Sequence, residues 1–577
     1  MFSLLRYRIS SRTYPMAERP WLKHYDEGVP HSLKPYPAKT LIDLLGESSK
    51  RYPESPALLF KGATLSYGDL DRQSNAFASA LVDSGVRKGD RVALLLPNSP
   101  QMVIAEFGIW KAGAIAVPIN PIYTDYELVH AFNECGAEVA VVLTSFYGKA
   151  DALKGRTPLK CIIASSIKEY LPTFTRLLFT LFKEKKDGHK VSIANGDKMF
   201  QSMISSHDSS VAPAISVTPD DPAVFLFSGG TTGKPKCAVG RHQSLVISGM
   251  QLSTWFSVVS DKRQDIIMLN MPLFHVYAQA GIMTAGLVRG GPLALVPNPR
   301  DIDDLLKTIK KLKPAVLSGV PTLFNALAAH PTLQKEPTIL KSIKLIVSGA
   351  SSLHMDTRLR FEELSGGRII EAYGLTESMV AAVCTPALGV HKPGSVGVPV
   401  PDVDIRIVDH MGQGEDLPAG QVGEVLMQAP QLMEGYWGNP VETAAMIRDG
   451  WLHTGDLGYL DQDGFLFIVD RMKDIIKPGG FQVWPREVEE VIAMHPSVFE
   501  VGVAGVPDDY QGESVKAWVV LREGCPLTPD DLRSHCRKEL TAYKVPKHVE
   551  FCTSLPKSMI GKVLRRELVA EHKAKNK

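Results

Sequence analysis

The sequence predicts an α/β protein: a large N-terminal domain of two doubly wound sheets plus a small β-barrel, followed by a small α+β C-terminal domain. Three observations carry this. From Thr40 onwards short apolar runs alternate with helical patterns, as βα units around a largely parallel sheet do. Between Gly394 and Tyr436 the pattern changes to polar/apolar alternation, in Val403-Asp-Ile-Arg-Ile-Val408 and Gly423-Glu-Val-Leu-Met427, set between Pro/Gly turns as in a small barrel. Beyond Lys473, about a hundred residues remain, the size of one small domain.

Length and composition agree. A chain of 577 residues exceeds what one hydrophobic core organises, and 44% apolar with 22% charged residues is ordinary globular composition. A net charge of +2 gives no reason to expect a nucleic-acid partner. Seven scattered cysteines without a C-x-x-C pair argue against a disulfide framework and a structural zinc, so the cytoplasm is the expected compartment. No apolar run is long enough to span a membrane.

Residues 1–39 read as an N-terminal extension and lead-in. Arg6, Arg8 and Arg12 precede the first acid, Glu18, as in a transit peptide, but a short basic tail before Met16 explains them equally. Val92–Leu96 and Val139–Leu143 read as buried strands with Gln101–Ala112 as a helix between. Ile266–Met271, Leu293–Val296, Ala315–Ser318 and Leu345–Ser348 repeat the theme in a second sheet. Leu171, Phe174, Leu177, Leu178, Leu181 and Phe182 fall at helical spacing, with Lys183, Lys185 and Lys186 following. Two readings stand: a helix packed on the core, or an interfacial helix resting peripherally on an anionic membrane surface.

Ala223–Phe227 reads as a buried strand that stops at Ser228. The loop that follows turns successive N–H groups towards an anion through Gly229, Gly230 and Gly233, with hydroxyls from Ser228, Thr231 and Thr232 and charge from Lys234 and Lys236. It is no Walker loop, which would need Gly where Ser228 stands and Ser or Thr where Pro235 stands. Taken alone it is either a phosphate cradle or a mobile surface turn.

The string Ser228-Gly-Gly-Thr-Thr-Gly-Lys-Pro-Lys236 resembles the phosphate loop of the acyl-adenylate-forming superfamily. Tyr373-Gly-Leu-Thr-Glu377, Trp451-Leu-His-Thr-Gly-Asp456, Asp470-Arg-Met-Lys-Asp-Ile-Ile-Lys477 and Pro556-Lys-Ser-Met-Ile-Gly-Lys562 follow in that superfamily's order. The resemblance spans nearly the whole chain and is closest to bacterial long-chain fatty acyl-CoA synthetases, through the double Gly of the loop, Gly319-Val-Pro-Thr-Leu-Phe-Asn-Ala326 and Arg19-Pro-Trp-Leu-Lys-His-Tyr25. Cys237 departs from the pattern, standing where the family usually has Gly.

The resemblance implies an AMP-binding domain over residues 40–470, a hinge over 471–477 and a mobile C-terminal domain over 478–577. It implies ATP, Mg2+ and coenzyme A as cofactors, a fatty acid as substrate, and a monomer or homodimer. It places Tyr373 against adenine, Ala350, Ser351, Glu371 and Ala372 around it, and Gly374 and Thr376 in the same motif. Glu377 then meets Mg2+ together with Thr231, which suits a hard cation that takes few protein carboxylates; a lone Glu is otherwise a solvated charge. Asp456, read at a turn, and Arg471 would hold the ribose; Asp456 outside this setting is only a turn residue.

Lys562 carries the first step on this reading, because a mobile ammonium steadies charge as one anion attacks another. In a basic tail alone it would be merely solvated. Thr232 joins it, while Lys473 marks the hinge, and Lys477 and Gly480 with Gly479 line the thiol route. His275 replaces the Asp with which peptide-synthetase adenylation domains hold an amino group, so the substrate carries a carboxylate and no ammonium. It is either a packed core histidine or a gate between acyl and thiol channels. Val320–Phe324, Gly281 and Gly349 are candidates for an acyl tunnel. The expected activity is long-chain fatty acid–CoA ligation, with an aryl- or medium-chain ligase as alternative and, from other classes, a nucleotide-binding regulator or a light-emitting oxygenase.

Overall fold

The computed structural model describes residues 19–228, 235–260, 262–351, 353–409, 414–558 and 561–575. The first sheet has seven strands, in the order Lys198–Met199, Cys161–Ser165, Val139–Leu143, Arg91–Leu95, Ile115–Pro118, Pro222–Ser228 and Lys236–Arg241. All neighbours are parallel except the last pair, a hairpin in which Ser228 faces Lys236. The second sheet has nine strands. Its parallel centre runs from Ile369–Leu375 through Leu345–Ser348, Val316–Gly319, Ile267–Leu269 and Leu293–Leu295 to Pro56–Phe60, with antiparallel strands closing both ends.

These centres are near-continuous apolar runs because helices cover both faces, which is why they are legible in sequence. Pro100–Lys111 is one such helix: Ser99 caps it, Pro100 opens it, and every residue in it is buried. Its Trp110 is wholly buried and donates its indole N–H to the Ala223 carbonyl at 2.8 Å. The two sheets share one core and are stitched at their carboxyl ends by Asn98, which donates to the Leu269 and Met271 carbonyls and accepts from the Leu273 amide. Strand carboxyl ends are where ligands of such sheets bind.

The antiparallel unit holds Asp404–Val408, Gly423–Gln428, Trp451–Leu460, Ile447–Arg448 and Leu466–Arg471, and so extends well past Tyr436. A separate α+β domain follows, with a three-stranded sheet of Val498–Asp508, Gly512–Leu521 and His548–Phe551. Val488, Ile492, Val503, Val519 and Leu532 form its own core. Among the described residues no helix is long and apolar enough to cross a membrane. The helix Thr173–Phe182 contradicts the core-packed reading: none of its residues is buried.

Candidate active site

Ser228 and Lys236 pair across the two strands that flank the Gly/Thr-rich string, and Gly229, Gly230, Thr231, Thr232, Gly233 and Lys234 lie outside the described residues. Its two ends are fixed. Ser228 is buried, and Lys236 pairs with Glu442 at 2.6 Å while its ammonium lies 5.2 Å from the Tyr436 ring centre. Cys237 is wholly buried in the strand, and burial pushes its thiol far up, so it packs in the core and takes no part in the loop.

Tyr373 and Gly374 lie in the strand Ile369–Leu375, and Glu377 in the turn just beyond its carboxyl end. Glu377 is buried and its Oε1 accepts from the Tyr436 hydroxyl at 2.6 Å. Its Oε2 has no hydrogen-bond donor among the described residues, so this carboxylate fits a cation carried by nucleotide phosphates. No group of three His, Cys, Asp or Glu is placed to hold a metal among those residues, and Mg2+ on phosphates asks for only one or two carboxylates. Gly374 is required where it stands: a Cβ there would lie 1.9 Å from the Val380 carbonyl oxygen. Val380 itself has φ of +103° and Ala350 has +66°, both strained for side-chain-bearing residues, and both line the cavity described below.

Asp456 corrects the sequence reading. It sits in a strand, not at a turn: Trp451–Leu460 pairs with Gly423–Gln428 through a bulge in which Thr454, Gly455 and Asp456 stand opposite Val425 alone, and Gly455 there has φ of +67°. A bulge re-aims side chains. Asp456, 3% exposed, accepts from the Tyr373 hydroxyl at 2.7 Å and forms an ion pair with Arg471, whose Nε lies 2.8 Å away. Tyr373, Asp456 and Arg471 therefore converge as expected. Glu371 does not join them. Its carboxyl turns to Arg358 at 3.4 Å, and burial pushes it up to about 7, against the pull of Arg486 and Arg358.

Lys562 approaches the same place from the C-terminal domain. Burial lowers its ammonium to about 8, Arg471 adds repulsion, and Asp456 opposes both. Lys562 in turn helps burial hold His275 neutral, down at about 4; the His275 Nδ1 accepts from the Tyr277 amide at 3.2 Å. The loop carrying Lys562 reaches inward because Gly561, with φ of +75°, lets the backbone touch the N-terminal domain. A Cβ on Gly561 would fall 2.2 Å from Thr322 Oγ1. Val320 and Thr322 thus back this loop, and Pro321–Ala329 is a helix; the segment Val320–Phe324 is not part of the cavity wall.

That cavity measures about 810 Å³, open solvent at its mouth included, and His275, Gly281, Gly349, Ala350, Ala372 and Gly374 are among its lining residues. Leu252, Phe256, Ile282, Ala285, Val316 and Leu345 make the rest mainly apolar; Arg289 also lines it, and no Asp or Glu does so among the described residues. Ser351 and Thr376 are half-buried beside it in sequence.

Lys477 is not drawn in with Lys562, whereas Lys473 lies within reach of Arg471, Asp456 and Glu377 at the same site, and burial with Arg471 lowers its ammonium to about 8. Lys477 is exposed; its amide donates to Glu513 and the Gly479 amide to the Gln511 carbonyl, both within the C-terminal domain. Sequence reasoning missed Tyr436 and Arg565, and gave Thr322 a place in the tunnel wall where it instead backs Gly561. Each acts through a partner distant in sequence, and no local pattern marks them.

The AMP-binding enzyme family model matches residues 45–437, and the model of the AMP-binding enzyme C-terminal domain matches residues 487–562. A long-chain-fatty-acid–CoA ligase of Bacillus subtilis is 38% identical over 96% of this chain and 98% of its own. A feruloyl-CoA synthase of Amycolatopsis is 32% identical over 89% and 96%. The crystal structure of ATP-bound MatB from Rhodopseudomonas palustris superposes with a TM-score of 0.79 at 27% identity, covering 93% of this chain and all of that one. Enzymes of this kind use ATP, Mg2+ and coenzyme A. With the Tyr373–Asp456–Arg471 cluster, Glu377 and Lys562 in place, this chain belongs to the AMP-binding enzyme family, among its AMP-forming acid–CoA ligases.

Proposed function

We propose that this chain is a long-chain fatty acid–CoA ligase. The observation that carries the proposal is the mainly apolar cavity, which no Asp or Glu lines among the described residues and whose wall includes His275 and Gly349; such a lining suits a hydrocarbon tail. In the first half-reaction a carboxylate oxygen attacks the α-phosphorus of ATP, a new P–O bond forms, and the bond to pyrophosphate breaks. Asp456 and Arg471 orient the ribose, Tyr373 lies against adenine, and the Lys562 ammonium steadies the negative charge gathering between attacking and leaving oxygens. Glu377 would hold Mg2+, which supplies charge neutralisation to the phosphates. In the second half-reaction the thiol of coenzyme A attacks the acyl carbonyl and the C–O bond to AMP breaks.

Pyrophosphate release, measured with and without coenzyme A over fatty acids of increasing length and over aromatic acids, tests this. Rising kcat/KM with chain length is the expected result. A preference for hydroxycinnamic or benzoic acids would replace this reading with the aryl-CoA ligase that the feruloyl-CoA synthase relative favours.

A further inference from the structure

The helix Thr173–Phe182 wears its apolar face outward. Phe174, Leu177, Leu178, Leu181 and Phe182 are 72, 56, 39, 66 and 70% exposed. At 3.6 residues per turn these five fall within an arc of about 140°, while Thr173, Arg176 and Thr180 take the opposite side. A surface helix ordinarily turns such a stripe to the core. This one is moored so that it does not: the Tyr170 hydroxyl donates to Gln73 at 2.5 Å, Lys168 pairs with Glu184 at 2.6 Å, Arg176 pairs with Glu169 at 2.8 Å, and the Phe179 ring meets His189 edge-on at 5.3 Å.

Charge beside the stripe is basic. Lys183, Lys185, Lys186 and Lys190 are all exposed against one exposed acid in that segment, Asp187, because Glu184 is already taken by Lys168. The chain enters the helix, through the turn Ile167–Tyr170, from the carboxyl end of strand Cys161–Ser165, and that end lies on the same side of the sheet as Ser228, four strand spacings or about 19 Å away.

We infer that this helix docks the enzyme on a bilayer containing anionic lipid. Its five apolar side chains enter the acyl boundary, and the lysines meet lipid phosphates. The inference deepens the long-chain reading, since a long acid partitions into lipid and would be collected there on the same side of the sheet as the site.

Flotation of the full-length protein tests it, with vesicles of phosphatidylcholine alone or mixed with an equal part of phosphatidylglycerol. The wild type should prefer the anionic vesicles roughly a hundredfold, with salt weakening the preference. Phe174→Glu with Phe182→Glu should abolish flotation and raise KM for long acids presented in vesicles, leaving a short water-soluble acid unaffected. Lys183→Gln, Lys185→Gln and Lys186→Gln together should erase only the anionic preference. All five positions are exposed, and an unchanged thermal melt verifies the fold. A wild type that does not float, or a Phe variant that floats like it, overturns the inference. So does a dimer that the Phe variant dissolves without any vesicle binding, because the face would then join two copies. Normal flotation of an enzyme inactive on long acids supports docking and overturns the substrate reading alone.

Discussion

Arg565, at the start of the last helix, holds Asp470, in the final strand before the hinge, with its guanidinium 3.4 Å from that carboxylate. The same guanidinium reaches Asp474 at 3.1 Å and Glu489 at 2.9 Å, and Asp470 also accepts from the Arg486 amide at 2.8 Å. This group ties the C-terminal domain to the strand that ends in Arg471 and keeps Lys562 at the site. Arg565→Ala should therefore slow pyrophosphate release by roughly tenfold or more, since it strands the nearly buried Asp470. Conversion of supplied acyl-AMP and coenzyme A should not fall with it. Equal loss in both half-reactions would show that the clasp serves overall stability instead.

Lys562 reaches the site while Lys477 and Gly479 bond within the C-terminal domain, and we propose that the domain turns between half-reactions so that Gly480 replaces Lys562 at the acyl carbonyl. Lys562→Ala should cost roughly a hundredfold or more in adenylation and spare thioester formation from acyl-AMP. Gly480→Leu should do the reverse and leave acyl-AMP on the enzyme. Rapid-quench measurement of each half-reaction separates these outcomes.

The ammonium of Lys562, lowered to about 8, sets a pH limit. The charged form is the active one and exists below that value. For adenylation kcat/KM should be level at neutral pH and fall as pH rises through about 8. Thioester formation should lack this fall, because ionisation of the thiol favours it as pH rises.

Gly561→Ala would set a methyl group against Thr322 Oγ1, displace the Lys562 loop and depress adenylation. Adding Thr322→Ala removes that oxygen and should restore part of the rate, though not all, because φ of +75° still disfavours Ala. Absence of any rescue in single-turnover assays would mean that contact with Thr322 does not position the loop.

Gly281 lines the cavity, and a Cβ there would come within 2.9 Å of Val380 Cγ2. Gly281→Ala should narrow the cavity and move the kcat/KM profile towards shorter acids by several-fold to about tenfold. An unchanged profile would place the chain-length limit elsewhere.

The sequence by itself determined the two parallel sheets, because strands covered on both faces must be continuous apolar runs: Val139–Leu143 and Leu345–Ser348 stand where those runs place them. It also singled out Tyr373, Glu377, Asp456, Arg471 and Lys562 through motifs whose local strings are distinctive, and of these Tyr373, Asp456 and Arg471 meet directly in the structure. Only the tertiary structure decided the rest. Pairing of Pro56–Phe60 with Leu293–Leu295, more than two hundred positions away, leaves no local trace. The bulge that aims Asp456 depends on its partner strand, and the Arg565 clasp and the Gly561–Thr322 contact depend on how two domains meet. The stripe in Thr173–Phe182 makes the distinction most directly. Its periodicity fixes that one face is apolar, but whether that face meets core or solvent is set by neighbours such as Gln73, Glu169 and His189, which periodicity does not encode.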